Sequence, residues 1–136
     1  MESICSICGK IIPEHRQRRR AKSCSDKCGA LLQKRKYHQL NPYSVFTQNV
    51  SGAIAEYRTI IDLLSHGFEV FHSVNPGSPC DLAILKNNKL FRVEVKSLRY
   101  SASGVPYKPT KPIRADILAS VMPDKIIYSP PLFNYG

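Results

Sequence analysis

Residues 79–97 read PCDLAILKNNKLFRVEVKS, and this stretch decides the fold that the sequence predicts. Residues 81–85 and 90–96 are two strand-like segments, and residues 86–89 between them carry two asparagines, which favour a tight turn. The stretch therefore predicts a β-hairpin. Because side chains alternate along a strand, Glu94 and Lys96 share one face, while Val93 and Val95 face the opposite, apolar layer.

Upstream of the hairpin, apolar residues recur at the spacing of one helix face, namely at Ala53, Tyr57, Ile60, Ile61 and Leu64. Ser51 is the predicted N-cap of this helix, and Gly67 follows its end. Residues 68–71 then predict a strand, and residues 75–79 predict a turn. The order of elements up to this point is helix, strand and hairpin.

Downstream of the hairpin, residues 99–113 are rich in Ser, Gly, Pro, Tyr and Lys, and they predict a mobile loop. Two further short strands are predicted at residues 116–121 and 125–128. Pro130 and Pro131 are expected to end the fold. The predicted class is therefore α+β, with a helix and a mixed β-sheet in residues 50–136.

The hairpin also carries side chains suited to phosphodiester hydrolysis. That reaction needs carboxylates to hold Mg²⁺, and a cation to stabilise developing charge or orient the attacking water. Asp81, Glu94 and Lys96 supply these groups, and the hairpin is expected to bring Asp81 beside Glu94. Each residue also has an ordinary explanation, since Asp81 suits a turn and the other two suit a solvated strand face.

The order of these residues resembles the PD-(D/E)XK nuclease superfamily, in particular archaeal-type Holliday junction resolvases and small homing endonucleases. The matching residues are Pro79-Cys80-Asp81, then after twelve residues Glu94-Val95-Lys96-Ser97, with Gly52-x-x-Ala55-Glu56 and Gly67-Phe68-x-Val70 upstream. The resemblance implies a minimal restriction-endonuclease-like core. In it Asp81 and Glu94 would bind Mg²⁺, Lys96 would polarise the phosphate or orient water, and Glu56 would have an auxiliary acidic role. Cys80 departs from the motif, which has proline directly before the aspartate.

Four of the five cysteines lie near the N-terminus in two close pairs. Cys5-x-x-Cys8 is followed after fifteen residues by Cys24-x-x-x-Cys28, a spacing that suits tetrahedral zinc with four thiolates at about 2.3 Å. Residues 5–28 are too poor in large apolar side chains to fold by burial alone. Four protein ligands leave no open position, so Zn²⁺ is expected to be structural. The alternative is free thiols in a disordered basic tail.

The segment around these cysteines resembles treble-clef zinc fingers, in which a knuckle, a hairpin and a helix surround one metal. Cys8-Gly9-Lys10 matches the usual end of the knuckle. Cys28 is expected in the first turn of a helix that continues through residues 30–37. The resemblance therefore predicts a small treble-clef zinc module with four cysteine ligands before the core.

Positive charge is concentrated in the same N-terminal segment. The net charge is +10, and residues 1–40 hold ten Lys or Arg against three Asp or Glu, compared with ten against seven in residues 41–136. Such a surface attracts nucleic-acid phosphates or an anionic membrane surface, or is simply solvated. The candidate DNA-binding residues are Arg16, Arg18, Arg19, Arg20, Lys22, Lys34, Arg35, Lys36, Lys108 and Lys111, with Arg114 beside the last two.

No apolar run approaches the roughly 18 residues that span a bilayer, and the N-terminus lacks the apolar region of a signal peptide. We therefore expect an intracellular protein, in the cytoplasm or nucleus, without a membrane partner. A reducing compartment favours metal thiolates over disulfides. Cys80 is predicted to be a packed thiol. The four histidines, His15, His38, His66 and His72, show no metal-ligand spacing and are expected at the surface or in packing.

These patterns divide the chain into a zinc-binding basic module (residues 1–40), a connector (41–49) and a nuclease core (50–136). Three functions follow. The first is a site-specific, homing-type endonuclease on double-stranded DNA, acting as a homodimer because one small core has one active site. The second is a structure-selective nuclease such as a junction resolvase. The third is a non-catalytic nucleic-acid-binding adaptor whose acidic and basic strand residues are degenerate.

Overall fold

The computed structural model describes residues 2–108 and 114–135, and all elements below lie within these ranges. The α-helices are α1 (Glu14–Gln17), α2 (Asp26–Leu40) and α3 (Gln48–Ser65). The strands are β1 (Glu69–His72), β2 (Leu82–Lys86), β3 (Lys89–Ser97), β4 (Ile117–Val121) and β5 (Ile126–Ser129). Two short 3-10 segments cover Pro42–Val45 and Leu132–Tyr135. The predicted α+β class is confirmed.

The five strands form one mixed sheet in the order β1-β2-β3-β4-β5. Neighbouring strands are antiparallel except β3 and β4, which pair in parallel with Val93 opposite Ile117. A parallel pair needs a crossover, and residues 98–116 connect the two strands. Within this connection Tyr100 and Pro106 form an isolated bridge, so its first part is more ordered than the predicted loop. Residues 109–113 of that loop lie outside the described residues.

The predicted hairpin is present, and its turn is tighter than expected. Lys86 and Lys89 still pair across the ladder, so the loop consists of two residues, Asn87 and Asn88. Both have a left-handed backbone, with φ of 52° and 61°. Two left-handed residues form the type I′ turn that matches the twist of the flanking strands, and asparagine tolerates this conformation. Each end of each strand lies within one residue of its predicted position.

The core lies between one face of the sheet and α3, which packs across β1, β3 and β4. Side chains with 0% exposure come from every layer of it: Leu63, Ile84, Val93, Ile117 and Ala119. Alternation along each strand turns the four strand residues of this set to the α3 side, where they meet Leu63, and burial of their apolar surface stabilises the domain. The opposite face of β3 carries Glu94 and Lys96, as the alternation predicted.

The helix α3 begins earlier than predicted and buries a different face. Thr47 is the N-cap, because its hydroxyl accepts a hydrogen bond from the Val50 N–H at 3.4 Å. Ser51 therefore lies inside the helix, where it is buried. The buried row is Ser51, Ala55, Thr59 and Leu63, whereas Tyr57, Ile61 and Leu64 are 59%, 65% and 54% exposed. Tyr57, Ile61 and Leu64, whose spacing marks the helix in the sequence, therefore do not lie on the side of α3 that meets the sheet.

The burial of two hydroxyl residues on α3 is explained by their hydrogen bonds. Thr59 donates to the Ala55 carbonyl at 2.8 Å, and Ser51 donates to the Tyr43 carbonyl at 3.2 Å. A buried hydroxyl costs little when it has a partner. Apolar periodicity therefore identified the helix correctly but not the side of it that meets the sheet.

The C-terminal residues extend the fold beyond Pro131, where the sequence predicted its end. The segment Leu132–Tyr135 returns to the core, and the Tyr135 and Phe91 rings meet edge to face at 4.6 Å. Tyr128 on β5 donates its hydroxyl proton to Asp62 of α3 at 2.6 Å. Burial, and then this hydrogen bond, raise the pKa of Tyr128 well above its usual value, so the hydroxyl remains a donor.

The N-terminal region joins the core through polar contacts of α2. Asn41, which caps α2 and is 1% exposed, bonds both backbone groups of Tyr100. The segment predicted as a connector, residues 41–49, contains one 3-10 turn and the start of α3. None of the helices that the structure describes combines the length and apolar character needed to cross a membrane.

Candidate active site and thiol cluster

Four thiols converge near the N-terminus. The sulfur atoms of Cys5, Cys8, Cys24 and Cys28 all lie within 4.8 Å of one another. Cys8 and Cys24 are 3.4 Å apart, and Cys24 and Cys28 are 3.8 Å apart. The edge of a tetrahedron of four sulfurs about 2.3 Å from zinc is about 3.8 Å. The four residues that the spacing predicted as zinc ligands could therefore hold one metal ion together.

Local backbone structure brings the two cysteine pairs together. Gly9, with φ of 75°, follows the first pair and donates its N–H to the Cys5 carbonyl at 3.0 Å. This turn needs a residue without a side chain, because a left-handed backbone is strained for most residues. The second pair begins α2, where the Ser25 hydroxyl accepts a hydrogen bond from the Cys28 N–H at 3.2 Å. Cys28 lies in the first turn of the helix, as predicted.

The electrostatics of the thiol cluster suit a cation. A hydrogen bond from the Cys8 backbone is the main reason that the pKa of Cys5 is lowered to about 6. The hydrogen bond with the Cys8 thiol is the main reason that the pKa of Cys24 is raised to about 11. One thiolate therefore forms readily, and a second is opposed by its neighbours. A bound divalent ion would remove that opposition, because it favours deprotonation of every coordinating thiol.

The candidate DNA-binding cations differ in how the structure uses them. Arg16 is half-buried and bonds inside the module, to the Ser23 carbonyl at 3.1 Å and to Asp26 at 3.0 Å. Arg18 is exposed and pairs with Glu14 at 2.7 Å. The other exposed candidates are Arg19, Arg20, Lys22, Lys34, Arg35, Lys36 and Lys108, while Lys111 lies outside the described residues. Arg16 thus holds the module together rather than presenting a free charge.

In the core, the hairpin brings Asp81 and Glu94 to neighbouring positions. Leu82 pairs with Val93, so Asp81, one residue earlier, lies across from Glu94. The Asp81 carboxylate accepts a hydrogen bond from the Val95 N–H at 2.8 Å, which holds it against β3. This contact leaves one carboxylate oxygen without a hydrogen bond among the described residues.

Glu94 and Lys96 form an ion pair on the face of β3 opposite the core. The Lys96 ammonium lies 2.8 Å from one Glu94 oxygen, and the other oxygen accepts a weak hydrogen bond from the Arg114 N–H at 3.3 Å. The Glu94 side chain is 18% exposed and the Lys96 side chain is 37% exposed. Two-residue spacing on a strand produces this contact, and it holds the Lys96 ammonium beside Glu94.

Glu56, His72 and Asp81 line one cleft of about 330 Å³, which we call the acidic cleft. His72 is exposed, as expected, and its Nε2 lies 2.9 Å from a Glu56 oxygen. The spacing of the histidines gives no sign of this contact, because the partner of His72 is a glutamate sixteen residues away. Alternation along β1 provides a signal, since His72 shares the α3-facing side of that strand with Val70.

The proposed magnesium site needs fewer protein ligands than the proposed zinc site. Within residues 2–108 and 114–135, the thiols are the one group of three or more Cys, His, Asp or Glu residues placed closely enough to hold a metal ion. Mg²⁺ needs fewer protein ligands, because it retains several waters and commonly takes only one or two carboxylates. Asp81 and Glu94 offer oxygen donors of that kind. The pair therefore fits Mg²⁺ in number and chemistry.

Comparison with known proteins gives a fold-level likeness. No family model matches the chain, and no curated protein sequence matches it. Among solved structures, the fold is similar to that of the bacterial homing endonuclease I-Ssp6803I. The match has a TM-score of 0.51 at 18% sequence identity, and it covers 61% of this chain and 67% of the other. The two proteins share a fold over that part of the chain.

Proposed function

We propose that this protein is a Mg²⁺-dependent DNA endonuclease with a PD-(D/E)XK active site, of the site-specific, homing type. The observation that carries the proposal is the β2–β3 hairpin, in which Asp81 lies across from Glu94 and Lys96 pairs with Glu94 at 2.8 Å. The fold-level likeness to a bacterial homing endonuclease supports the same interpretation. It favours hydrolysis of DNA over the adaptor function.

Each residue of the proposed site has a distinct role. Asp81 and Glu94 would hold Mg²⁺ through carboxylate oxygens, and the bound ion would activate water and neutralise charge on the phosphate. The Lys96 ammonium would donate to the attacking water or to a phosphate oxygen, and its pairing with Glu94 keeps it at that position. Glu56 would act from the helix side of the acidic cleft, and His72 would orient its carboxylate.

The N-terminal module is proposed to extend the DNA footprint. Residues 1–40 would bind Zn²⁺ through the four cysteines in a treble-clef arrangement, with residues 41–49 as the connector to the core. The metal would be structural, because four thiolates complete its coordination. The exposed arginines and lysines between and after the cysteine pairs would contact phosphates and release counterions.

A homodimer is part of the proposal, because one core has one acidic cleft and double-stranded DNA has two strands to cut. The exposed apolar face of α3 offers a surface for pairing, since Val50, Tyr57, Ile61 and Leu64 are 43–65% exposed and follow helical spacing. Association through an apolar helix face would cover these side chains. The mass of the protein in solution, measured on the sample used for cleavage, tests this part.

The decisive experiment is cleavage of linear and four-way-junction DNA by the purified protein, with and without Mg²⁺. We expect Mg²⁺-dependent cutting that falls at least about 100-fold in Glu94→Ala while DNA binding persists. Glu69→Ala is the matched control, because Glu69 is an exposed glutamate on β1 of the same sheet. Preference for the junction would select a resolvase. Tight binding without cutting on a broad DNA library would replace the endonuclease with the adaptor.

A further inference from the structure

A second cleft, of about 620 Å³, lies where β3 ends and shares no lining residue with the acidic cleft. We call it the basic cleft. It is lined by Lys96, Ser97 and Arg99, by Gln48 and Ser51 of α3, and by Tyr107. Among the described residues that line it, none is acidic. Lys96 therefore borders a cavity that offers two cations and several hydroxyls to an anion.

The two cations of the basic cleft are not equivalent. Lys96 is paired with the Glu94 carboxylate at 2.8 Å. Arg99 is half-buried and donates to the Tyr37 hydroxyl, a neutral acceptor, at 3.1 Å. Within the part of the chain that the structure describes, no carboxylate lies in ion-pair distance of the Arg99 guanidinium. The Arg99 guanidinium is therefore a half-buried charge that no carboxylate of the described residues neutralises. It also has N–H donors beyond the one that bonds Tyr37.

The backbone on both sides of Arg99 is held in position. The Leu98 N–H donates to the Val121 carbonyl at 2.9 Å, which extends the β3–β4 pairing. On the other side, the buried Asn41 side chain accepts from the Tyr100 N–H at 2.7 Å and donates to its carbonyl at 2.8 Å. A side chain that is already ordered loses less conformational entropy when it binds a ligand. Arg99 is therefore preorganised by residues of the N-terminal region and of β4.

We propose that the basic cleft binds a second phosphodiester of the DNA strand that is cut, with Arg99 as its ligand and Tyr37 as the residue that positions Arg99. This inference rests on the endonuclease function proposed above. A planar guanidinium binds phosphate oxygens through two parallel hydrogen bonds, which a neutral cleft cannot offer. Because Lys96 lines the same cleft, the phosphate held there neighbours the one at the acidic residues. The cleft would thereby fix which bond reaches the catalytic lysine.

The test measures binding of a fluorescently labelled linear DNA duplex without Mg²⁺, over a series of salt concentrations. Loss of one phosphate contact in Arg99→Ala is expected to weaken binding about tenfold and to reduce the slope of log K against log salt by about 0.9. Arg99→Lys should keep the slope and bind with intermediate affinity. Tyr37→Phe should weaken binding by a smaller factor, because only the positioning hydroxyl is lost. Lys89→Ala, at the opposite end of β3, is the control and should leave the slope unchanged.

An unchanged slope in Arg99→Ala overturns the proposal, and Tyr37→Phe binding as tightly as the wild type overturns the role of Tyr37. If Arg99→Ala does not fold, Arg99→Lys decides, since wild-type affinity in that variant contradicts two-bond recognition. If the wild-type protein cleaves DNA but Arg99→Ala leaves the salt slope unchanged, the phosphate site in the basic cleft is wrong and the endonuclease function stands. If Arg99→Ala reduces the salt slope but the wild-type protein does not cleave DNA, the phosphate site stands and the endonuclease function is wrong. On a cleaved substrate, Arg99→Ala should raise KM about tenfold.

Discussion

The N-terminal region, residues 2–40, and the core, residues 48–135, are stabilised in different ways. In the core, a continuous cluster of fully buried side chains joins α3 to strands of the sheet. In the N-terminal region, the fifteen-residue helix α2 buries only Cys28, and the apolar cluster contains Ile12 and two cysteines. Apolar burial holds the core, whereas the N-terminal region buries few apolar side chains besides its cysteines.

The difference extends to charge. The N-terminal region carries most of the exposed cations proposed to contact DNA, and the core carries the carboxylates that could hold Mg²⁺. The two regions meet at a small polar junction, where Tyr37 and Asn41 contact Arg99 and Tyr100. A region with little apolar burial is thus attached beside the strand that bears the proposed catalytic residues. This arrangement suggests that stability and function can be separated by mutation, region by region.

If the thiols bind Zn²⁺ as proposed, removal of that metal should have the largest effect and should separate the two regions. Zn²⁺ contributes about 10–16 kcal/mol to folding in small zinc modules, more than this region can replace by burial. We expect that Cys24→Ser, or a strong chelator, makes residues 2–40 sensitive to protease while residues 48–135 resist. Mass spectrometry of the digest measures this difference.

Cys80→Ser is the control for that experiment, because Cys80 is partly buried and lies outside the thiol cluster. It should leave the metal content unchanged. A purified chain that contains no metal, yet whose N-terminal region resists protease, would contradict the zinc assignment.

A cavity in the core should have a smaller effect, confined to the other region. Ile84 is 0% exposed on β2, and Ile84→Ala is expected to lower the free energy of unfolding of the core by about 2–5 kcal/mol. Ile127→Ala is the matched control, because Ile127 is 49% exposed on β5, and its effect should stay within about 0.5 kcal/mol. Denaturant unfolding measures both. Loss of zinc from Ile84→Ala at native conditions would show that the two regions are not independent.

The smallest effect on stability is expected from the exposed arginines of the N-terminal region. Arg18→Ala together with Arg19→Ala should reduce the salt slope of DNA binding by up to about 1.8 and leave core stability unchanged. Lys89→Ala with Lys125→Ala is the control, since both are exposed cations of the core. Binding titrations at several salt concentrations provide the measurement. An equal loss of slope in the two double variants would assign DNA binding to charge in general rather than to the N-terminal region.

The sequence by itself determined the elements that depend on local chemistry. The Asn87-Asn88 turn, the five strands, the start of α2 at the second cysteine pair and the grouping of four thiols all follow from neighbouring residues. Period-two alternation also turned Glu94 and Lys96 away from the core, as expected. Turn geometry and capping were predictable because they act over a few residues, and the thiol grouping was predictable because two close cysteine pairs at this spacing suit one metal ion.

Only the tertiary structure decided how those elements meet. It determined the buried face of α3, where Ser51 donates to the Tyr43 carbonyl outside the helix, while Tyr57 and Ile61 stay exposed. It also brought His72 to Glu56, and Tyr37 to Arg99 across 62 residues of sequence. Local patterns show which side chains are apolar or charged. The partners of those side chains depend on packing between distant segments, because the energy of each contact is set by burial and hydrogen bonding in the assembled core.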